Sequence, residues 1–501
     1  MSQSNSTTDA HKVPSVLISS IPIAALMGLM LLNLKLGDDY IPTETVLIIC
    51  AVLAGLIAFF HIGKSYKELE TGILHSINLA MPALLIIFVV GALISVWIMS
   101  GIVPMLIYYG LAIINPSAFL FVSCVMCAVI AICTGSSWST VGTIGLALMA
   151  MGTTLGIPDG MTAGSIISGA YFGDKMSPMS DTTNLAPAMV GTDVITHIRH
   201  MFYTSGPAMI ISLLVFLLMG LFYQSGSLDG AQIELVQSVL KENFNVSPWL
   251  LVAPVLVVIL VARGLPAMPA LILGTGLGVA AVPIFQWALL ERVLDGNVTL
   301  TGVYSYTLNT IATGFNIETG NAMIDRLLNR GGMSSMFGVN FIAIAAMVFA
   351  GILESSGMLQ SLTQTVIKGV RGIGSLIIST LGTCVFVNCA AANQTMAIII
   401  PARMFASSYK RFGLHPKNLS RACEDAGTVT APLIPWNTNG VYCAGVLGVA
   451  TTTYAPFAIF CLASPFISAA LGFADKTMTR LDADDQSTQG TFSKEVVEEG
   501  T

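Results

Sequence analysis

The chain has 501 residues, 54% of them hydrophobic and only 10% charged, with a mean hydropathy of +0.80 and a formal net charge of −6. A soluble globular domain carries about 25% charged residues, so the composition excludes that class. The absence of a basic patch interleaved with aromatics argues against a nucleic-acid partner. What remains is an all-α polytopic membrane protein, since the alternating ~10-residue strands of a membrane barrel are missing.

In chain order, the polar start MSQSNSTTDAHK precedes an apolar run over 13–34. That run is too long for a signal-peptide core and no small-residue cleavage site follows it, so it reads as a retained first span. Runs such as this one and 209–222 suit helices crossing a roughly 30 Å hydrocarbon layer, which needs ~20 apolar residues. Residues 1–63 are the N-terminal spans.

The next 400 residues contain an internal repeat. ELETG (68–72) is echoed by NIETG (316–320), and each leads into a long apolar helix ending in MSGIV (99–103) or SSGML (355–359). TGSSWSTVGTIG (134–145) is followed by GDKMSPMSDTTNLAP (173–187), and CAAANQTMAIII (389–400) by GTVTAPLIPWNTNGV (427–441). From Gly101→Gly357 through Ser137→Asn393, Pro178→Pro432 and Asn184→Asn439, the offset stays between 254 and 256. Chance would not hold one register so long.

Basic residues concentrate in cytoplasmic loops. With Lys12 placed inside, Lys64, Lys67, Arg199, Arg263, Lys368, Arg371, Lys410, Arg411, Lys417, Arg421, Lys476 and Arg480 also fall inside. Lys35, Lys241, Arg292, Arg326 and Arg330 fall outside. The two ETG segments then lie on opposite sides, so the repeats are inverted, an arrangement common in secondary transporters with a midplane site at discontinuous helices. Repeat 1 covers 64–200, with a re-entrant helical hairpin at 117–157 and a broken helix at 161–195. Repeat 2 covers 312–455, with a hairpin at 371–411 and a broken helix at 418–450. An amphipathic arm (64–75; 312–330) opens each. Segment 201–311 connects the repeats, 456–474 is the last span, and the acidic stretch 475–501 reads as a disordered cytoplasmic tail. Pro178, Pro432 and Pro435 enforce the breaks, because proline removes helix hydrogen bonds.

Unwound backbone at membrane depth is tolerated only where it is buried or lines a wet cavity. There it offers free carbonyls, and Ser, Thr and Asn add oxygens to make a hard-oxygen cage for a cation such as Na+. The candidates are Ser136 and Ser137 with Thr182, Thr183 and Asn184, and, in the second half, Asn393, Gln394 and Thr395 with Asn437, Thr438 and Asn439. Na+ is placed at Ser137, Thr183 and Asn184. The plainer alternative is that these residues only cap half-helices.

Five carboxylates are expected at membrane depth: Asp174, Asp181, Glu354, Glu424 and Asp425. An ionisable group there costs roughly 2.5–3.5 kcal/mol and marks a functional site by default. Desolvation favours the neutral acid and a bound cation the carboxylate, so one such group can exchange H+ for Na+. Lys175 adjoins Asp174 and is expected to neutralise it in the ion-free state. The alternative is a buried Asp174–Lys175 or Arg421–Glu424 pair that only fixes packing. Glu354 has no counterpart in the first half. His197, His200 and His415 read as ordinary loop histidines, and the nine cysteines, with a lone CxxC at Cys124 and Cys127, as small packing residues.

At these residues the sequence resembles a known family. YFGDKMSPMSDTTNLAPA (171–188) looks like the signature of the NhaC-type Na+/H+ antiporter family, and EDAGTVTAPLIPWNTNG (424–440) and RGGMSSM (330–336) are similar to its other marked segments. The resemblance covers nearly the whole chain. It implies an ion-transporter fold of two inverted repeats, Na+ and H+ as the transported partners, and a multi-pass protein of the bacterial cytoplasmic (inner) membrane. In dicarboxylate/Na+ members of that superfamily, Ser-Asn-Thr motifs at hairpin tips bind Na+; the matching positions here read GSSWST and ANQT, so stoichiometry does not carry over. The family includes exchangers of Na+-lactate for malate and resembles some amino-acid carriers.

The leading expectation is a secondary antiporter exchanging Na+ for H+ by alternating access, with no cofactor beyond the transported ions. The alternative is a Na+- or H+-coupled organic solute carrier, which would need a cationic anchor near the hairpin tips; Lys175 and Arg403 are the only basic residues away from loops. An enzyme is disfavoured, because no GxGD, HExxH or GxSG is present. Membrane lipid surrounds the chain. A homodimer is compatible with the sequence.

Overall fold

A computed structural model describes residues 14–36, 41–113, 115–222, 230–367 and 369–481. Lys12, Lys368 and the tail from residue 482 onward lie outside the described residues, as does the side chain of Lys35. Among the described residues the chain is all-helical, with a single isolated β-bridge between Leu414 and Arg480. Eight helices are long and apolar enough to cross a membrane, or up to ten if two bent pairs each count as one span. Their outward faces are apolar too: Leu214 and Leu218 on one helix and Val52 and Leu56 on another are exposed. Exposed apolar faces on long helices make this a multi-pass membrane protein.

Helices α1 (Val16–Leu36) and α2 (Thr43–Ile57, ending in a π turn) precede α3 (Tyr66–Met99). A capping box starts α3: Ser65 accepts the Glu68 amide while the Glu68 carboxylate accepts from the Ser65 amide at 2.8 Å. The helix therefore runs unbroken through ELETG, and the expected separate arm at 64–75 is its first turns. In the second half NIETG is not helical. Gly314 and Gly320 take positive φ there, and Asp325 accepts from the Thr319 amide and hydroxyl at 2.7 and 2.6 Å.

After α4 (Ile102–Ile113) come α5 (Phe119–Thr134) and α6 (137–154), antiparallel arms joined only by Gly135 and Ser136. Then α7 (Asp159–Met176) stops, four residues intervene, and α8 (Asp181–Val190) resumes. α5 and α7 pack closely because Gly169 and Gly173 face α5; a Cβ there would lie 2.1 Å from the Cys124 carbonyl oxygen or 2.4 Å from that of Ala128. Small residues allow such contact between membrane helices.

α9 (Val194–Phe222), α10 (Gly230–Asn243), α11 (Pro248–Ala262), α12 (Ala267–Phe285), α13 (Trp287–Val293), α14 (Leu300–Thr313) and α15 (Ala322–Leu328) connect to the second half. There α16 (Met333–Ser355) packs on α2 and α3, followed by α17 (Met358–Ile367). α18 (Ile373–Ala390) and α19 (Gln394–Arg411) form the second antiparallel pair. α20 (417–428) ends in a π turn, and α21 (Thr438–Leu447) resumes after residues 429–437. α22 (Thr451–Phe457) and α23 (Ile459–Phe473) close the described chain with a 56° bend.

The two halves share this succession of elements. Left-handed residues match as Gly101 and Gly357, Gly135 and Ala392, Gly156 and Gly413, Gly191 and Gly448. Helix caps match as Ser136 and Asn393, and Ser180 and Asn437. These pairs set an offset of 256–257, shifting the expected residue pairing by one to three: Asp181 matches Thr438, and Thr182 matches Asn439. Backbone caps are better rulers than prolines, because a break of variable length separates the latter from the next helix.

Candidate ion-binding site

Four helix starts converge on one cavity of about 570 Å3. Its polar side comprises Ser136, Ser137 and Trp138 from the first hairpin tip, Asn393, Gln394 and Thr395 from the second, Asp174, Asp181 and Thr182 from the first break, and Thr438 and Asn439 from the second. Ten of the fourteen sequence candidates thus line one cavity. Lys175, Thr183, Asn184 and Asn437 do not line it.

Asp174 is the buried carboxylate of this cavity, 7% exposed. One oxygen accepts the Ser137 hydroxyl at 2.6 Å and the Ser137 amide at 3.1 Å. It therefore sits on the N-terminus of α6, where unpaired amides and the helix dipole favour negative charge. Ser136 keeps its own role as helix cap, accepting the Ser139 amide at 3.1 Å. Gly135 permits the tip: its φ is +66°, and a Cβ would lie 2.7 Å from the Met179 backbone carbon.

The break after Asp174 is held by the residues expected at Na+. Thr183 donates to the carbonyls of Asp174 and Lys175 at 3.2 and 3.0 Å. Asn184 is exposed and donates to the carbonyls of Pro178 and Ser180 at 2.8 and 2.7 Å. Both satisfy carbonyls that the missing helix turns leave free. Ser137 and Thr183 meet the same residue, Asp174, while Asn184 stands apart from the cavity.

Lys175 corrects its expected pairing. Its ammonium contacts Asp425 of the second half rather than Asp174, and lies 3.2 Å from the Ser464 hydroxyl. Successive residues on a helix point about 100° apart, so Asp174 and Lys175 meet different neighbours of α7. Asp425 also accepts the Thr204 hydroxyl at 2.8 Å. The Arg421–Glu424 pair is likewise replaced: Arg421 Nε lies 3.9 Å from Asp425, one turn on, and Glu424 accepts from Thr428 at 2.5 Å. Lys175, Arg421, Glu424 and Asp425 are all fully buried. They form a polar layer behind the cavity. Asp181 is exposed on the cavity rim, and Glu354 lies at the C-terminal end of α16, near His75 and away from the cavity.

Several contacts around the cavity were not anticipated. Asn439 accepts from Trp138 Nε1 and the Tyr171 hydroxyl, both at 2.8 Å, tying the first hairpin and α7 to the second break. Trp138 stacks on Tyr442 with ring centroids 4.1 Å apart. Asn388 bridges the Gly427 carbonyl at 2.7 Å and the Asn437 side chain. The 261–267 junction between α11 and α12 closes one wall; the tetrapeptide RGLP there was a legible turn signal. His197 and His200 are buried rather than in loops, at 2.8 Å from the Ser420 hydroxyl and 3.2 Å from Asn418. The uninterrupted α9, beginning at Val194, carries them inward against α20. Seven of the nine cysteines are buried, with Cys133 exposed and Cys389 between.

The model of the Na+/H+ antiporter family matches residues 169–476, which include both breaks and the second hairpin. The chain belongs to this family. It is 38% identical over 417 residues to the malate-2H(+)/Na(+)-lactate antiporter of Bacillus subtilis, covering 83% of this chain and 86% of that protein. Identity is 36% over 436 residues to the Na(+)/H(+) antiporter NhaC of Alkalihalophilus pseudofirmus, covering 87% and 90%. It is 33% over 485 residues to the arginine/ornithine antiporter ArcD of Halobacterium salinarum, covering 95% and 96%. By name these relatives of the family are transporters.

Proposed function

We propose that the chain is a secondary antiporter exchanging Na+ for H+ by alternating access. The observation that carries this reading is Asp174, the buried carboxylate that lines the cavity where both hairpin tips and both helix breaks meet. Na+ binds the carboxylate with oxygens from the surrounding helix starts, and H+ takes its place when the ion leaves. The two cannot share the group, which couples their movements in opposite directions. Asp181, Glu354, Glu424 and Asp425 remain secondary candidates for the proton.

In this reading the repeats, 64–200 and 312–455, are inverted, both termini are cytoplasmic, and the protein resides in the bacterial inner membrane among its lipids, as a monomer or a homodimer. The cycle needs no cofactor. The second reading is an organic solute carrier, favoured by the cavity volume and by the substrates in two relatives' names.

The test is ΔpH-driven 22Na+ uptake by reconstituted protein, with and without malate, lactate or amino acids. Uptake in the absence of organic solute is expected. Uptake that needs one of them sinks the plain antiporter reading.

A further inference from the structure

The cavity has two unlike sides, and only one of them suits a metal ion. Its volume of about 570 Å3 is room for on the order of twenty water molecules at ~30 Å3 each, within the size range of small-molecule pockets. The rest of the lining is largely apolar: Leu79, Ala83 and Ile86 from α3, Val261 from α11, and Leu265 and Ala267 at the start of α12. A metal ion gains nothing from this apolar lining. A hydrocarbon chain does.

Among the described residues the charge on the lining is of one sign. Asp174 and Asp181 are its ionisable side chains. Lys175 is turned to Asp425, and Arg263 and Arg403 are exposed and do not line the cavity. Helix N-termini attract carboxylates, but here each is already answered from within the chain. Asp174 sits on the start of α6, and Asp181 occupies the first turn of α8. The Asn393 side chain accepts the Thr395 amide at 2.8 Å, and that of Asn437 the Asn439 amide at 3.1 Å. Trp138 gives its N–H to Asn439 and one ring face to Tyr442, and its indole is part of the lining; an aromatic ring face attracts cations.

We propose that this cavity also binds a linear alkylammonium ion, with the ammonium in place of Na+ at Asp174 and the chain along the apolar lining from Leu79 to Leu265. The proposal rests on Asp174 being the cation ligand of the antiporter reading.

The test is 22Na+/Na+ counterflow in proteoliposomes at equal pH on both sides, so that permeant amines cannot act by dissipating a pH gradient. Methyl-, propyl- and butylammonium are compared with butyrate. Each fully buried methylene is worth up to about fourfold in affinity, so butylammonium is expected to inhibit at least about tenfold more potently than methylammonium, and butyrate not at all. A flat series, no inhibition by amines, or inhibition by butyrate overturns the proposal. If counterflow is absent without competitor, the Na+ reading fails by itself. Calorimetric titration of detergent-purified protein with butylammonium then decides alone: saturable binding lost in Asp174→Asn supports the proposal, and no binding, or binding unchanged in that variant, overturns it.

Discussion

Lys175→Met tests the polar layer behind the cavity. Lys175 and Asp425 are both 0% exposed, and they join the first break to the π turn of α20. Removing one partner of a buried ion pair costs about 3–5 kcal/mol, because the other charge stays buried without its counter-ion. Asp425 would keep the Thr204 hydroxyl at 2.8 Å and the Ser464 hydroxyl at 3.3 Å, while Arg421 stands off at 3.9 Å. The loss should therefore lie at the lower end, about 3 kcal/mol; at ~2.1 cal/mol/K of unfolding entropy per residue a chain of this length shifts by about 1 °C per kcal/mol, so the melting temperature should fall by roughly 3 °C. The assay is a fluorescence melt in detergent at one fixed scan rate, since membrane proteins unfold irreversibly and the midpoint depends on rate. Lys175→Met combined with Asp425→Leu removes this pair but leaves buried Arg421 without its neighbouring carboxylate, so the double variant should regain only part of the loss. A single variant melting within about 1 °C of the parent would refute the reasoning.

Other outcomes follow from the same geometry. Asp174→Asn should bring 22Na+ exchange to background with the melt little changed, because the amide oxygen can still accept from Ser137; full exchange would move the proton to Asp181, Glu354, Glu424 or Asp425. Asn439→Leu strands the Trp138 and Tyr171 donors, at about 1–3 kcal/mol each, and should show as a lower melting temperature with loss of exchange. Gly135→Ala places a non-glycine residue at φ +66°, about 1–2 kcal/mol before the clash with Met179 is counted, and should lower the melting temperature and impair exchange together. Asp193 caps α9: the Thr196 hydroxyl and amide hold its carboxyl below the usual range. That contribution is present at neutral pH and lost as pH falls through the lowered value, so Asp193→Asn, also a good cap, should flatten acid-side stability in a pH-resolved melt and leave the neutral value nearly unchanged.

Much of the architecture was legible because membrane solvent imposes it. Long apolar runs must be helices where no water is available to the backbone, and polar, proline-bearing stretches inside such runs must be breaks. Hence GDKMSPMSDTTNLAP and GTVTAPLIPWNTNGV marked the right segments, and ten candidate residues lie on one cavity. The repeat was legible too, though its register was read one to three residues off, since left-handed glycines and caps are conformational features that residue identity only hints at.

Pairing across the halves was not legible. Neighbours in sequence suggested Lys175 with Asp174; the rotation of α7 sends one to the cavity and the other about 250 positions away to Asp425. Asn439 looked like an ion ligand, and the fold gives its oxygen to Trp138 and Tyr171. By itself the sequence determined that this chain lies in a membrane, in two related halves with broken helices, because hydropathy and helix-breaking chemistry act locally. Which oxygens face the cavity, and which are spent holding the halves together, only the tertiary structure decided, because a helix presents its polar residues to different neighbours within a single turn.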